Sequence, residues 1–233
     1  MTSSFKPRMD ILPSAQQLLW PQLRMAATLG FVLYGGTAVA LRLGHRQSVD
    51  FDFFSSDALN QVRLRQSFPF LASATVLQDR PNTFTVLVPA SALAPQAVKI
   101  SFFGTIGFGR VGSPQFTDDG AVIVASLDDL MATKLKVILQ RSEAKDYRDI
   151  AAMLEANVRL DHGLASAREM FHPTFQPSES LRALSFFGDG DLHTLSDSEK
   201  LILVKAAGAV RDLPLARVVD LRLRLPDLTR GGR

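Results

Sequence analysis

The chain has 233 residues, 46% of them hydrophobic, so it can bury the core of one large domain or of a domain with a helical extension. Its formal net charge of +3 permits phosphate-rich partners without requiring them, and the lack of cysteine excludes disulfides and thiolate chemistry. No apolar run approaches the ~18 residues of a membrane span, and the first ten residues lack the apolar region of a signal peptide. We therefore expect a cytoplasmic protein with no membrane partner.

Strands and helices are mixed in the first half of the chain, and the second half reads as helices only. The pattern predicts helices over residues 11–28, 37–44, 58–70, 126–141 and 145–156, with a helical and loop-rich stretch beyond 160. It predicts strands over 31–34, 49–54, 74–78, 83–88, 98–103 and 121–124, the third and fourth forming a hairpin. The basic tail, 222–233, is expected to fray. This order indicates an α+β core over residues 1–125, followed by a helical C-terminal region over 126–233.

One candidate site lies where the strand 31–34 meets two glycines, Gly35 and Gly36, and a helix expected to begin at Thr37. The free N–H groups of a helix N-terminus bind anions, and glycines let phosphates approach the backbone closely. The segment therefore predicts a phosphate cradle, with Gly44 suited to cap the far end of the helix.

Two carboxylates follow on the next strand, at Asp50 and Asp52. Residues two apart in a strand share a face, so these side chains should project together while Val49, Phe51 and Phe53 face the core. An oxygen-preferring divalent cation such as Mg²⁺, or Mn²⁺, would relieve their repulsion and would share its shell with substrate phosphates.

Each half of this site has an ordinary structural reading. A Gly-Gly pair is usually a turn, and an Asp-x-Asp is usually a solvated strand face. Their occurrence together, in the order strand, glycines, helix, strand and carboxylates, favours a nucleotide and metal site. Two neighbouring residues are candidates for the same site. The guanidinium group of Arg46 can form bidentate hydrogen bonds to phosphate, and Ser48 has the spacing to face the same side as Asp50.

The run from Tyr34 to Phe54, with Gly35-Gly36-Thr37 and Asp50-Phe51-Asp52, resembles the AbiEii/AbiGii toxin-like nucleotidyltransferases of the DNA polymerase beta superfamily. The resemblance implies a nucleotidyltransferase fold, in which a mixed sheet is flanked by helices. It extends to a later charged cluster, where it implies that Lys134 contacts nucleotide phosphate and that Asp146 and Asp149 help to build the site. A charged, solvated helix surface is the ordinary reading of that cluster.

Where the superfamily usually carries a third carboxylate, this sequence has Ser101, which is no general base at neutral pH. Three explanations stay open. The protein works with one tightly held metal ion, another acid such as Asp146 or Asp149 substitutes, or the protein binds nucleotide and catalyses little. The aromatic residues Phe102, Phe103 and Phe108 are expected in the core.

The sequence thus predicts Mg²⁺-dependent transfer of a nucleotide from an NTP to a hydroxyl group. By resemblance, the acceptor is an RNA end such as that of tRNA, or a protein side chain, and the protein is the toxin of a toxin–antitoxin pair with a cognate antitoxin. The alternative is a catalytically weak nucleotide-binding protein that acts through partners. Transfer to a small cationic molecule is a third possibility, which the positive net charge disfavours.

Overall fold

The computed structural model describes residues 3–90 and 96–225, and its centre is one mixed sheet of eight strands. The strands are β1 (Ser4–Phe5), β2 (Val32–Tyr34), β3 (Asp50–Phe54), β4 (Thr75–Arg80), β5 (Thr83–Val88), β6 (Val98–Phe103), β7 (Gln115–Thr117) and β8 (Ile123–Val124). Their order across the sheet is β1-β7-β8-β2-β3-β6-β5-β4. β3 runs antiparallel to β2 and parallel to β6, so the strand that carries the Asp pair lies inside the sheet.

Helices precede, interrupt and follow these strands. They are α1 (Ser14–Leu19), α2 (Met25–Thr28), α3 (Gly35–Leu43), α4 (Gln61–Ser67), α5 (Leu127–Val137), α6 (Ala144–Glu155), α7 (Leu160–Met170), α8 (Pro177–Ala183) and α9 (Asp197–Ala209). Short 3-10 turns span Met9–Ile11, Trp20–Arg24, Pro69–Ala72 and Leu192–Thr194. Within the described ranges, no helix combines the length and the apolar character needed to cross a membrane.

The two faces of the central strands have different chemistry. Phe51 and Phe53 of β3 and Phe102 of β6 are fully buried, and their rings lie 5.5–6.3 Å apart as stacked neighbours. Trp20 and Phe31 pack on this group from the N-terminal segment. Since side chains alternate along a strand, burying these rings turns the residues between them to the opposite face.

Some predicted elements need correction. The helix expected over residues 11–28 is broken into α1, a 3-10 turn and α2, with Pro21 in the first turn of the 3-10 segment. Val49 is 55% exposed because β3 begins at Asp50, so Val49 lies before the pleat that would turn it inward. The helix expected to reach residue 141 ends at Val137. Gly44 caps α3 in the left-handed conformation, as predicted.

The C-terminal helices pack on the core and on each other, α5 and α6 against α3, α7 against α5 and α9 against α6. The division of the chain into two domains stays a prediction.

After α9, the C-terminal segment contacts the loop that follows β3. The N–H of Leu223 donates to Ser56 Oγ, and the Leu223 side chain is 1% exposed. The expectation of fraying is therefore wrong for residues 222–225, and the rest of that tail, 226–233, lies outside the described residues.

The α5–α7 contact depends on a helical glycine. A Cβ on Gly163 would lie 2.3 Å from Cγ of the buried Met131, whereas a Cβ on Gly208 in α9 would meet nothing within 4 Å. We expect Gly163→Ala to destabilise the protein by about 1–2 kcal/mol, because overpacking outweighs the gain in helix propensity. Gly208→Ala should instead stabilise it by up to about 1 kcal/mol. Urea denaturation of both variants measures this, and equal shifts would contradict the packing described here.

Candidate active site

A cleft of about 690 Å³ opens over the face of the sheet opposite the buried phenylalanines. Strands β3 and β6 form its floor, and the start of α3 and the face of α5 form its sides. Seven of the predicted site residues line it: Gly35, Gly36, Arg46, Ser48, Asp50, Asp52 and Lys134. Thr37, Asp146 and Asp149 lie behind this lining, where they contact the residues that form it.

The side chains of Asp52 and Arg46 lie close to the backbone of the glycine turn. α3 begins at Gly35 itself, which has a φ of +74°, a conformation that favours glycine. A Cβ on Gly35 would lie 2.6 Å from Asp52 Oδ2, and one on Gly36 would lie 2.3 Å from Arg46 Nη2. The two glycines therefore give room for a carboxylate and a guanidinium at the N-terminus of the helix.

The two strand carboxylates project together into the cleft, each with a neighbour on β6. Asp50 is in register with Lys99, whose Nζ lies 2.9 Å from Asp50 Oδ2, and Asp52 is in register with Ser101. Burial, and then the charge of Asp50, raise the pKa of Asp52. The Lys99 and Lys134 ammonium groups and the Ser101 hydroxyl only partly offset that rise.

Thr37 and Ser48 are buried and join α3 to the start of β3. The Thr37 hydroxyl donates to the backbone carbonyl of Asp50 and lies 2.7 Å from the Ser48 hydroxyl. Thr37, 1% exposed, thus fixes the carboxylate strand relative to the helix N-terminus, and Ser48 faces the cleft with its hydroxyl already engaged.

Asp149 of α6 is the centre of a buried ion cluster. Its side chain is fully buried and accepts hydrogen bonds from Arg46 Nε at 2.7 Å and Arg46 Nη2 at 2.9 Å. Lys134 Nζ lies 2.6 Å from Asp149 Oδ2, and His45 Nε2 lies 2.8 Å from Asp149 Oδ1. Burial raises the pKa of Asp149, but Lys134, His45 and Arg46 together reverse that effect and hold the pKa well below its usual range. The fork of Arg46 is therefore directed at Asp149, although its charge still reaches the cleft.

Asp146, one turn earlier on α6, completes the cluster. It accepts from Lys134 Nζ at 2.6 Å and from Arg141 Nε at 2.9 Å, and its side chain is fully buried. Burial acts to raise the pKa of Asp146, but Lys134 and Arg141 outweigh it, so the net shift is downward. Both acids are thus paired with cations, an arrangement that leaves neither of them placed like a third metal-binding carboxylate.

Positive side chains line the cleft in greater number than carboxylates, six cations against Asp50 and Asp52, with Glu143, Asp146 and Asp149 paired to cations behind them. Three of the six are Arg46, Lys134 and Arg141, which we call the cation cluster; they pair with Asp146 and Asp149, and Arg141 also lies 3.7 Å from Glu143. All three cations line the cleft. The excess positive charge faces the cleft, where it would attract an anion such as a phosphate chain.

Three cleft residues differ from the sequence-based expectation. Lys99 is predicted only as part of a strand, and Phe103 and Phe108 are expected in the core, yet all three line the cleft. The alternation along β6 contained the signal, because Lys99 and Phe103 share a face with Ser101. Arg148, one residue before Asp149, does not line the cleft and contacts Thr194 and Glu199.

The donor set at Asp50 and Asp52 fits one hard divalent cation. Among the described residues, no group of three or more His, Cys, Asp or Glu side chains is arranged to hold a metal ion. The two facing carboxylates, with a lysine ammonium already drawn to Asp50, nevertheless form a site that favours a cation. Mg²⁺ typically takes one or two carboxylates and completes its shell with water and substrate phosphates.

Comparison with known proteins identifies the family of this chain. Residues 24–214 match the family described as "Nucleotidyl transferase AbiEii toxin, Type IV TA system". The chain belongs to this AbiEii family. A protein of Aquifex aeolicus (strain VF5) that carries no functional description is 29% identical over 122 residues, which are 52% of this chain and 55% of that protein. The chain thus spans about half the length of this curated relative.

Two solved structures share the fold of this AbiEii protein. A proposed nucleotidyltransferase from H. pylori superposes with a TM-score of 0.53 at 20% identity, over 83% of this chain and 91% of the other. MenT4, a nucleotidyltransferase toxin from Mycobacterium tuberculosis H37Rv, superposes with a TM-score of 0.50 at 14% identity, over 83% and 86% of the chains. The predicted α+β nucleotidyltransferase fold is confirmed.

Asp149 should contribute strongly to the stability of this AbiEii-family protein. We expect Asp149→Asn to lower the free energy of unfolding by about 3–5 kcal/mol, because it leaves buried cations without a compensating charge. Urea denaturation measures the loss. Asp10→Asn, which removes an ion pair on the exposed surface, is the matched control and should leave the midpoint nearly unchanged. Equal effects of the two substitutions would show that the buried cluster is not a stability centre.

Proposed function

We propose that this AbiEii-family protein is a Mg²⁺-dependent nucleotidyltransferase that acts in the cytoplasm. The observation that carries the proposal is that two carboxylates, Asp50 and Asp52, share one cleft with the uncapped N-terminus of α3 and with the cation cluster. One cleft thus combines a cation site with an anion site, which is the pairing that a metal-bound NTP requires.

The triphosphate would lie along the turn at Gly35 and Gly36. The Tyr34 side chain makes no capping hydrogen bond to this helix N-terminus, so the helix keeps N–H groups that can donate to phosphate oxygens. Lys134 would supply charge from the opposite wall, with one proton left after its bonds to Asp146 and Asp149. Arg46 would add long-range attraction, because its own hydrogen bonds are already made.

Asp50 and Asp52 would hold Mg²⁺, or Mn²⁺ in its place, and the ion would supply charge neutralisation at the phosphates. In the reaction, a hydroxyl oxygen of the acceptor forms a bond to the α-phosphorus. The bond from that phosphorus to the oxygen bridging to the β-phosphorus breaks, and pyrophosphate leaves with the bond electrons. Ser101 cannot accept the hydroxyl proton at neutral pH, so the proton passes to water.

The acceptor we favour is an RNA end such as that of tRNA, with a protein hydroxyl as the other possibility. The family description, a toxin of a type IV toxin–antitoxin system, supports a toxic activity with a cognate antitoxin, and MenT4 is named as a nucleotidyltransferase toxin. The positive charge beside the cleft suits an acceptor that carries phosphates.

A second candidate function is nucleotide binding with little catalysis. It is favoured by Ser101, which lies between Asp52 and Thr85 in the sheet register, at the place where a third carboxylate would complete a two-metal site. Function would then depend on a partner that recognises the nucleotide-bound form.

Loss of either strand carboxylate should abolish transfer. With each α-labelled NTP, Mg²⁺ and total cellular RNA or lysate, the native protein should label an acceptor, and Asp50→Ala and Asp52→Ala should reduce labelling by about 10²-fold or more. Asp118→Ala, at an exposed carboxylate outside the cleft, is the control and should label normally. Full labelling by the Asp52→Ala variant would exclude the proposed metal site.

The same assay separates the two candidate functions through Ser101→Asp. If the protein is a slow enzyme, the restored carboxylate should raise the labelling rate and increase thermal stabilisation by Mg²⁺. If it is a binding protein, native and variant chains should bind Mg²⁺-NTP without forming product.

A further inference from the structure

The end of the cleft beyond the Asp pair is lined by aromatic rings. Phe54 lies two residues after Asp52 on β3, and Phe103 lies two residues after Ser101 on β6, in register with Phe54. Both share the face of the Asp pair, about 6.6 Å further along the strands. Phe108 and Phe171 extend the surface from the loop after β6 and from the end of α7. These four residues are called the aromatic wall.

The rings of the aromatic wall contact one another in a continuous chain. Ring centroids are 5.1 Å apart for Phe54 and Phe103, 6.3 Å for Phe54 and Phe108, and 5.1 Å for Phe108 and Phe171. The buried Tyr34 packs against Phe54 at 4.9 Å, with only 13° between the ring planes. The wall is therefore ordered before any ligand arrives, which lowers the entropic cost of binding to it.

The wall packs against the edge of the core through Phe54, Phe108 and Phe171, but it also faces the cleft. Phe51, Phe53 and Phe102, on the other face of the same strands, are fully buried, whereas all four wall residues are partly exposed and line the cleft. Partly exposed phenylalanine rings grouped in a polar cleft mark a binding surface for an apolar, flat group.

We propose that the aromatic wall binds a nucleobase by stacking. The proposal rests on the proposed function, which places phosphates at the cation cluster and the α-phosphate at the Asp pair. A nucleotide held there extends from the charged end of the cleft toward the wall, across a distance that a ribose can bridge. The π-face is common to all bases, so stacking on phenylalanine contributes affinity without selecting one base.

The stacked base has two possible sources, the incoming NTP or the end of a nucleic-acid acceptor. Both present the same flat aromatic chemistry to the wall. They differ in which binding step depends on it, since the NTP binds in the absence of acceptor. The experiment therefore measures NTP binding alone and then the dependence of transfer on acceptor concentration.

The variants are Phe103→Leu and Phe108→Leu, which keep an apolar side chain of similar bulk but remove the ring. Phe103→Tyr restores a ring at the same place. Phe186→Leu, at a 58% exposed phenylalanine that does not line the cleft, is the matched control. Melting curves of each variant establish that it is folded before binding is compared.

Calorimetry with Mg²⁺ compares two probes, an NTP and ribose 5-triphosphate, which has the phosphates but no base. If the wall binds the NTP base, the native protein should bind NTP about tenfold or more tightly than ribose 5-triphosphate. Each leucine variant should remove most of that difference without changing the affinity for ribose 5-triphosphate, and Phe103→Tyr should restore it. If the wall binds an acceptor base, NTP affinity stays the same and the leucine variants raise the KM for the RNA acceptor.

Unchanged NTP affinity and unchanged KM for acceptor in both leucine variants would overturn the stacking proposal. Failure of the proposed function would give a different result. In that case Asp50→Ala and Asp52→Ala would leave the affinities for NTP and for ribose 5-triphosphate unchanged. Equal losses in Phe186→Leu and the cleft variants would also overturn it, because the effect would then not come from the wall.

Discussion

The buried carboxylate of Asp149 is the interaction on which the site depends. It joins three parts of the chain, because His45 and Arg46 reach it from the loop before β3 and Lys134 reaches it from α5. Each partner is fixed in direction by a bond shorter than 3 Å. The bond to Arg46 also explains Gly36, since the guanidinium crosses where a Cβ would otherwise stand. The helix N-terminus, the carboxylate strand and the Lys134 helix are thus held around one point.

Removing these charges from water costs solvation free energy, and ion pairs between them offset that cost. Asp146 and Asp149 are both fully buried, yet together they accept from Lys134, Arg141 and Arg46, so the pKa of each stays low and both remain charged. Asp52 is the contrasting case. Its pKa is raised by burial and by Asp50, with no full ion pair to compensate. Perturbed pKa values of this kind, in a cleft and beside a second carboxylate, occur often at functional sites.

Features that are determined by residues close together in sequence could be predicted from it. Alternation along β3 correctly placed Asp50 and Asp52 together, and the glycine pair correctly marked the end of β2, although α3 begins at Gly35 rather than at Thr37. The role of Asp149 as a cation partner could not be read from spacing, because His45 and Arg46 are about a hundred residues away in sequence. β1 and β7 were missed because, unlike the equally short β8 and β2, they contain no run of apolar residues. Phe103 and Phe108 were assigned to the core because hydrophobicity alone does not distinguish a core from the apolar wall of a cleft.

A crystal structure of the protein with Mg²⁺ and a non-hydrolysable α,β-methylene NTP analogue is the most direct test of the central claim. The account predicts one metal ion bound by Asp50 and Asp52, and a phosphate chain that reaches the backbone at Gly35 and Gly36 with Lys134 nearby. A nucleotide bound outside this cleft, or bound within it while both carboxylates contact only protein, would contradict the account.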